Sequence, residues 1–189
     1  MYRDEGLAVR KKTRRKGVAQ TRLPLTSPTK ATERWSLDFV SDQMASGQRF
    51  RILHVVDDGT RECVLSYAAT SIHGSAVARL RTDAIQERGK LKVLLIDNGP
   101  ECTGRALDQW ASIQGITHQF IDSGKPVQNA YIASEGGRMR DEFLNVYWFP
   151  STPQARLSLA IWRRDDNVVR PNSSLGNLTS QEFARQLAG

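Results

Sequence analysis

The sequence predicts an α/β fold: a mixed sheet of three antiparallel strands followed by two parallel ones, with helices on both faces. Three observations carry this expectation. Runs of β-prone residues at Trp35–Val40, Arg49–Val56 and Glu62–Ala69 are joined by short links, the pattern of an antiparallel meander. From Ser75 onward, stretches with helical spacing alternate with short apolar runs, which places helices against a sheet. One of those runs, Val93–Ile96, is apolar throughout and passes into Asp97-Asn98-Gly99-Pro100, which forces a turn.

Each element has its local reason. Met1–Val9 reads as the end of a helix, so the chain looks cut at its start. Residues 10–30 are basic, with Pro24 and Pro28, and read as an extended linker. Trp35–Val40 is the first strand and Ser41–Gly47 a turn. Arg49–Val56 alternates and is closed by Asp57-Asp58-Gly59. Val77, Leu80, Ala84 and Ile85 recur at helical spacing in Ser75–Arg88, with Gly89 as the C-terminal stop. Leu91–Asp97 is the fourth strand, Thr103–Gln114 a helix closed by Gly115, and Ile116–Ile121 the fifth strand. A helix starts near Val127. Another covers Pro153–Asp166, with proline in its first turn. A loop from Arg170 to Gly176 then precedes a short terminal helix.

Charge divides the chain in two. Residues 1–30 hold nine Lys or Arg and two acids, which is the entire net charge of +7; residues 31–189 hold eighteen of each sign. The sequence therefore predicts a basic arm over 1–30 and a neutral core domain with a helical tail over 31–189. A basic arm points to a polyanion, most often nucleic acid, with Lys11, Lys12, Arg14, Arg15 and Lys16 as contacts. No apolar run approaches the length of a membrane span, and the charged N-terminus has no secretory pattern. Cys63 and Cys102 lie in no metal-binding spacing and read as reduced thiols of a cytosolic protein.

The chemistry-bearing residues are two strand-borne aspartates. Asp38 sits near the end of the first strand and Asp97 at the end of the fourth, with 58 residues between them. A carboxylate at the end of a buried strand is costly unless paired or metal-bound. If strands one and four are neighbours the two can meet, and hard divalent ions accept such oxygen ligands. On spacing alone, a structural role for the pair and a metal site stand equal. His54, His73 and His118 have no ligand spacing.

These residues sit in a wider resemblance. Trp35-Ser36-Leu37-Asp38-Phe39-Val40, Val56-Asp57-Asp58, Arg61-Glu62-Cys63, Asp97-Asn98-Gly99-Pro100-Glu101, Gly124-Lys125-Pro126-Val127-Gln128-Asn129-Ala130 and Arg138-Met139-Arg140-Asp141-Glu142-Phe143-Leu144-Asn145 resemble the catalytic half of an insertion-sequence transposase of the IS3 group. The likeness runs from Tyr2 to Phe183. It implies a ribonuclease-H-like fold and a DDE triad that cuts and joins DNA with Mg²⁺ or Mn²⁺ in a two-ion site. It makes Asp38 and Asp97 metal ligands and catalytic residues. Tyr2–Leu7 resembles the tail of the group's helix-turn-helix region, the rest of which is missing here. The partners implied are transposon ends and target DNA, and further copies of the chain or an intact transposase in a mixed oligomer. The setting implied is the bacterial cytoplasm, at the nucleoid.

The departures from the pattern are equally specific. The family's glutamate lies 35 residues past the second aspartate, in a helix reading Gln-Asn-Ala-Phe-Ile-Glu-Ser-Phe-Asn-Gly. This chain has Ala133 there and Glu135 two residues later. Two helical steps turn a side chain by about 200°, so Glu135 serves as the third carboxylate only through a π-bulge or a helix shift. Gly59 replaces an aromatic residue, and Asn172 a histidine.

Lys125, Gln128, Asn129, Arg138 and Arg140 are candidate DNA contacts. Each also has a plainer reading: Lys125 as a solvated loop lysine, Asn129 as a helix cap, Arg138 as the partner of Glu142 four residues on. Trp35, Trp110 and Phe120 read as core. Trp148 and Phe149 either pack on the preceding helix or meet a second subunit. Glu101 is a weak further candidate. Three functions are open at this point: a DNA-cutting and joining enzyme, an inactive DNA-holding or oligomerising core, and a nuclease acting on RNA–DNA hybrids.

Overall fold

The computed structural model describes residues 28–72, 74–96, 105–121 and 130–188. Five strands form one sheet: β1 (Arg34–Gln43), β2 (Arg49–Asp57), β3 (Cys63–Ala69), β4 (Val93–Ile96) and β5 (Thr117–Phe120), in the order β3-β2-β1-β4-β5. The first three pair antiparallel, while β4 and β5 run parallel to β1. This is the mixed sheet that the alternation of the sequence predicts. β1 and β2 run further than expected, because Ser41, Asp42 and Gln43 continue the ladder opposite Arg51, Phe50 and Arg49. The apolar run ends at Val40, but backbone pairing does not.

The period of two sorts β1 onto two faces. Trp35 and Leu37 join Leu53, Val55, Leu94 and Ile96 in a core closed by Val77 and Ala84 of α1 (Gly74–Arg88) and by Trp110 and Ala111 of α2 (Arg105–Gln114). Val40 joins Phe50, Ile52 and Ala68 on the other face. That face is covered by α3 (Ala130–Met139), a π-helical turn (Arg140–Leu144) and α4 (Thr152–Val168). Phe149 is buried there beside Phe50 and Phe143, whereas Trp148 is exposed. A 3-10 turn (Ser173–Leu175) and α5 (Ser180–Ala188) complete the described chain.

Two devices hold this second face in place. Ser151 caps α4 by accepting from the Gln154 N–H, with Pro153 in the first turn. α4 then covers the edge strand. Arg156 Nε donates to the Ala68 carbonyl (2.7 Å), Arg163 Nη1 donates to Val64 (2.8 Å), and Asn167 bonds both the N–H and the C=O of Cys63. Edge carbonyls left bare would invite pairing with another chain.

The β2–β3 turn explains two motif residues. Asp57 accepts from the backbone N–H groups of Thr32, Gly59 and Thr60 and from the Trp35 indole. Asp58 is fully buried against Arg34 and Ser36. Burial raises the Asp58 pKa, and the Arg34 charge and the Ser36 hydroxyl partly offset it. Gly59 lies against residue 30; a Cβ there would run into the Lys30 carbonyl.

Candidate functional site

Asp38 projects from β1 on the face covered by α3. Its own neighbour fixes it: the Phe39 N–H donates to Asp38 Oδ1 at 2.7 Å. Across the sheet it stands opposite His54 of β2. On the α3 side stands Gly136, where a Cβ would come 3.7 Å from Asp38 Oδ2 and 3.8 Å from Val40 Cγ2. At Gly136 the side of α3 that meets Asp38 thus carries only a hydrogen atom.

β4 is the neighbour of β1, with Leu37 opposite Ile96, the last described residue of that strand. Asp97 lies outside the described residues, as do Lys125, Gln128, Asn129, the five basic residues of the arm, Glu101, Cys102 and His73. Among the described residues, no three His, Cys, Asp or Glu side chains come together as a metal-binding group.

The two α3 positions that the sequence weighs for the third carboxylate are separated. Ala133 is exposed, one turn before Gly136 and on the adjoining stripe of the helix. Glu135 is 3% exposed. Its Oε2 accepts from Arg138 Nη2, and its Oε1 is buried with no hydrogen-bond partner. The π-helical turn that the Asn145 N–H makes to the Arg140 carbonyl lies after Glu135. It therefore leaves residues 133–136 in α-helical register, with Ala133 and Glu135 on different sides.

Burial is the main cause that raises the Glu135 pKa to about 8, reinforced by the Asp166 carboxylate and opposed by Arg138. Asp166 of α4 is itself 3% exposed, with Arg138 Nη1 at 3.5 Å. Asp166 Oδ1 has no hydrogen-bond partner either. With its pKa raised above neutrality, Glu135 keeps its proton at pH 7 and faces Asp166 as an uncharged carboxyl.

Arg138 and Arg140, paired as DNA contacts by sequence, diverge. Arg138 turns inward to Glu135 and Asp166, while Arg140 is exposed. The expected pair of Arg138 with Glu142 does not form. Glu142 takes Arg170 from beyond α4, because the π-helical turn carries it off the Arg138 stripe.

Beside this group lie His54, Cys63 and Ser66. His54 Nδ1 is 2.8 Å from Ser66 Oγ and 3.6 Å from Cys63 Sγ. Desolvation, helped by the Arg138 charge, lowers the His54 pKa to about 3, so the ring is neutral. Burial raises the Cys63 thiol far above its ordinary range, which makes this a structural cysteine and not a nucleophile. Asn172 accepts from Ser174 N and Ser174 Oγ and shapes the loop before α5.

Comparison with known proteins bears on the family and the fold. The integrase core domain family matches residues 28–126, and a second integrase core domain family matches 114–179. The chain is 47% identical over 184 residues to the insertion element IS407 uncharacterized 31.7 kDa protein of Burkholderia multivorans. It is 42% identical over 184 residues to the insertion element IS476 uncharacterized 39.2 kDa protein of Xanthomonas euvesicatoria. Each match takes in 97% of this chain, which spans 66% of the first relative and 53% of the second.

Among solved structures, the fold is similar to the HTLV-2 integrase catalytic core domain in complex with magnesium. The TM-score is 0.63 at 12% identity, over 82% of this chain and 97% of that one. It is also similar to the simian T-cell lymphotropic virus intasome in complex with the PP2A regulatory subunit B56 gamma. There the TM-score is 0.69 at 14% identity, over 90% of this chain and 61% of that one. The sheet order, the helices on both faces and these matches together carry one conclusion: the chain belongs to the integrase core domain family, with a ribonuclease-H-like fold and relatives from insertion elements.

Proposed function

We propose that this chain is the catalytic-core portion of an enzyme that cuts and joins DNA strands, with its own strand chemistry impaired at the third carboxylate. Ala133 carries the reading. It is exposed one turn before the glycine that meets Asp38, and its methyl group supplies no oxygen donor. Asp38 and Asp97 would hold Mg²⁺ or Mn²⁺, the hard-ion choice for carboxylate oxygens. When bound, such ions supply charge stabilisation at phosphorus and an activated water or 3′-hydroxyl. The Phe39 N–H orients the Asp38 carboxylate in advance, and Gly136 leaves room beside it. Arg140, Lys125, Gln128, Asn129 and the basic arm over residues 1–30 would hold transposon-end and target DNA through its backbone. Arg138 is also engaged inside the fold by Glu135 and Asp166, with 28% of its side chain left exposed.

Losing one electrostatic contributor from an active site costs on the order of 10²–10³ in rate. A second reading is favoured by the same alanine together with the +7 arm. In it the chain is an inactive core that holds DNA, or that joins an intact transposase in a mixed oligomer in the bacterial cytoplasm. Its sign is sequence-blind binding that weakens steeply with salt, without cleavage.

Strand joining and its reversal on a pre-formed branched DNA with Mn²⁺ tests both. Three chains are compared: the unaltered one, Ala133→Glu, and Ala133→Glu with Asp97→Asn. Activity in Ala133→Glu alone supports an intact scaffold with an impaired site. Equal rates for the unaltered chain and Ala133→Glu would overturn the impairment. Binding without joining by all three favours the second reading.

A further inference from the structure

A cleft of about 320 Å³ opens on the flank of α3 away from Asp38, between that helix, the β2–β3 turn and the loop over residues 171–174. Tyr131, Ser134, Glu135 and Arg138 line it from one stripe of α3, Arg61 from the turn, and Ser173 from the loop.

Arg61 is held there at a cost. Its φ is 63°, a left-handed backbone that non-glycine residues seldom adopt. It is kept in place by its own Nη1, which donates to the Asp58 carbonyl, and by its guanidinium, which stacks 3.3 Å from the Tyr131 ring centroid. Yet Arg61 Nε is buried and has no hydrogen-bond partner. A donor left unpaired at such depth costs free energy, and an acceptor supplied by a ligand would recover it.

The lining selects the ligand. Two guanidinium groups bring positive charge and parallel N–H donors, the geometry that matches an oxyanion. Serine hydroxyls add donors at the mouth. The Glu135 carboxyl adds little repulsion, since burial and the nearby Asp166 charge keep it protonated. A divalent cation would meet two arginines and is excluded; an apolar ligand would strand every one of these groups.

We propose that this cleft is a binding site for a phosphate group, gripped by Arg61 and Arg138 and separate from the Asp38 site. The proposal does not depend on strand-joining activity. The shared chemistry admits two sources: a small phosphate-bearing ligand, or a phosphodiester of bound DNA.

The test follows the side-chain Nε–H signals of ¹⁵N-arginine-labelled protein by NMR. Inorganic phosphate is titrated at constant ionic strength against chloride, and a short single-stranded oligonucleotide is titrated in a parallel series. Arg61→Gly identifies the Arg61 signal and keeps the fold safe, because glycine favours the left-handed backbone found there. Saturable shifts at both Arg61 and Arg138 are expected, with the Arg138 response weakened about tenfold or more in Arg61→Gly, the loss of a charge-assisted hydrogen bond. Saturation by inorganic phosphate alone identifies a small-ligand site. A response only to the oligonucleotide identifies a backbone subsite. Shifts that never saturate and spread equally over all arginines, or no shift from either probe, overturn the proposal.

Discussion

The Glu135 carboxylate closes on the Arg138 guanidinium one turn along α3, and Asp166 of α4 faces them both from beneath. An acidic side chain occupies a helix stripe whose other members, Ile132 and Met139, are fully buried and apolar. Its charge is therefore governed by the interior of the protein and not by solvent.

Stability is expected to fall with pH across the range set by Glu135. The unfolded carboxyl titrates near its ordinary 4.5 and the folded one near 8. Below 4.5 both states hold the proton and nothing is lost. Between the two values the unfolded state gives up its proton and the folded state keeps it, so the unfolded state gains. Above 8 the difference is complete. The groups facing Glu135 are Arg138 on its own helix, Asp166 on α4 and Arg61 across the cleft. Glu135→Gln removes the slope and gains roughly 1–3 kcal/mol at high pH, the cost of a buried group poorly paired. Urea unfolding at about pH 5 and about pH 9 measures this; an unchanged slope in Glu135→Gln would falsify the assignment.

Asn167 holds the end of α4 to the edge of the sheet. Its amide accepts from Cys63 N–H at 2.8 Å and donates to Cys63 C=O at 3.0 Å, where the β2–β3 ladder shifts register. Asn167→Leu keeps the branched shape but leaves two buried backbone groups unpaired, at about 1–3 kcal/mol each. Thermal melting and urea unfolding are expected to show a loss of roughly 2–5 kcal/mol. Hydrogen exchange at Cys63 would accelerate with it. A loss below about 0.5 kcal/mol, the usual scale of a surface substitution, counts against the role.

Gly59 is fixed by packing. Any side chain there meets the backbone of residue 30 and the Asp57 carboxylate that organises the turn. Gly59→Ala is expected to cost about 1–3 kcal/mol, as overpacking does. It also loosens the segment before β1, since Asp57 is what ties Thr32 and Trp35 to the turn. Limited proteolysis near residue 30 should speed up in the variant; equal rates would show that the turn absorbs the methyl group.

Much of the architecture was legible because it rests on local periodicity. Alternation in Arg49–Val56 and the continuous run Val93–Ile96 mark a two-faced strand and a buried one, and both form. What escaped depends on tertiary partners or on irregular backbone. Arg138 and Glu142 stand four apart, a pair only if the helix stays α; the π-helical turn begins between them, and Arg170 captures Glu142. Asn167 gave no local sign, because its partner lies 104 residues away at a break in the ladder. Arg61 needed its left-handed backbone and the Tyr131 ring before it could be noticed. At the candidate site the sequence singled out Asp38, Ala133 and Glu135, and the helix turn separates the last two as an α-helix must.

Restoring a carboxylate at position 133 gives a readout that needs no DNA. Ala133 is exposed, so Ala133→Glu without metal should change stability by less than about 1 kcal/mol. The sign should be slightly unfavourable, because a new negative charge arrives on the stripe beside the Asp38 carboxylate. With Mn²⁺ the sign reverses. A ligand that binds only the folded state stabilises it by about 2.7 kcal/mol at one hundred times its dissociation constant. The melting temperature of Ala133→Glu should therefore climb with Mn²⁺ well beyond that of the unaltered chain. Adding Asp97→Asn should abolish the difference, since an ion shared among three carboxylates loses one of them. Glu135→Gln in the unaltered chain should leave the Mn²⁺ response untouched, because the Glu135 carboxylate is turned toward Arg138 and Asp166. Equal Mn²⁺ stabilisation of the unaltered chain and of Ala133→Glu would mean that position 133 lies out of reach of the ion, and the account of the missing carboxylate would have to be abandoned.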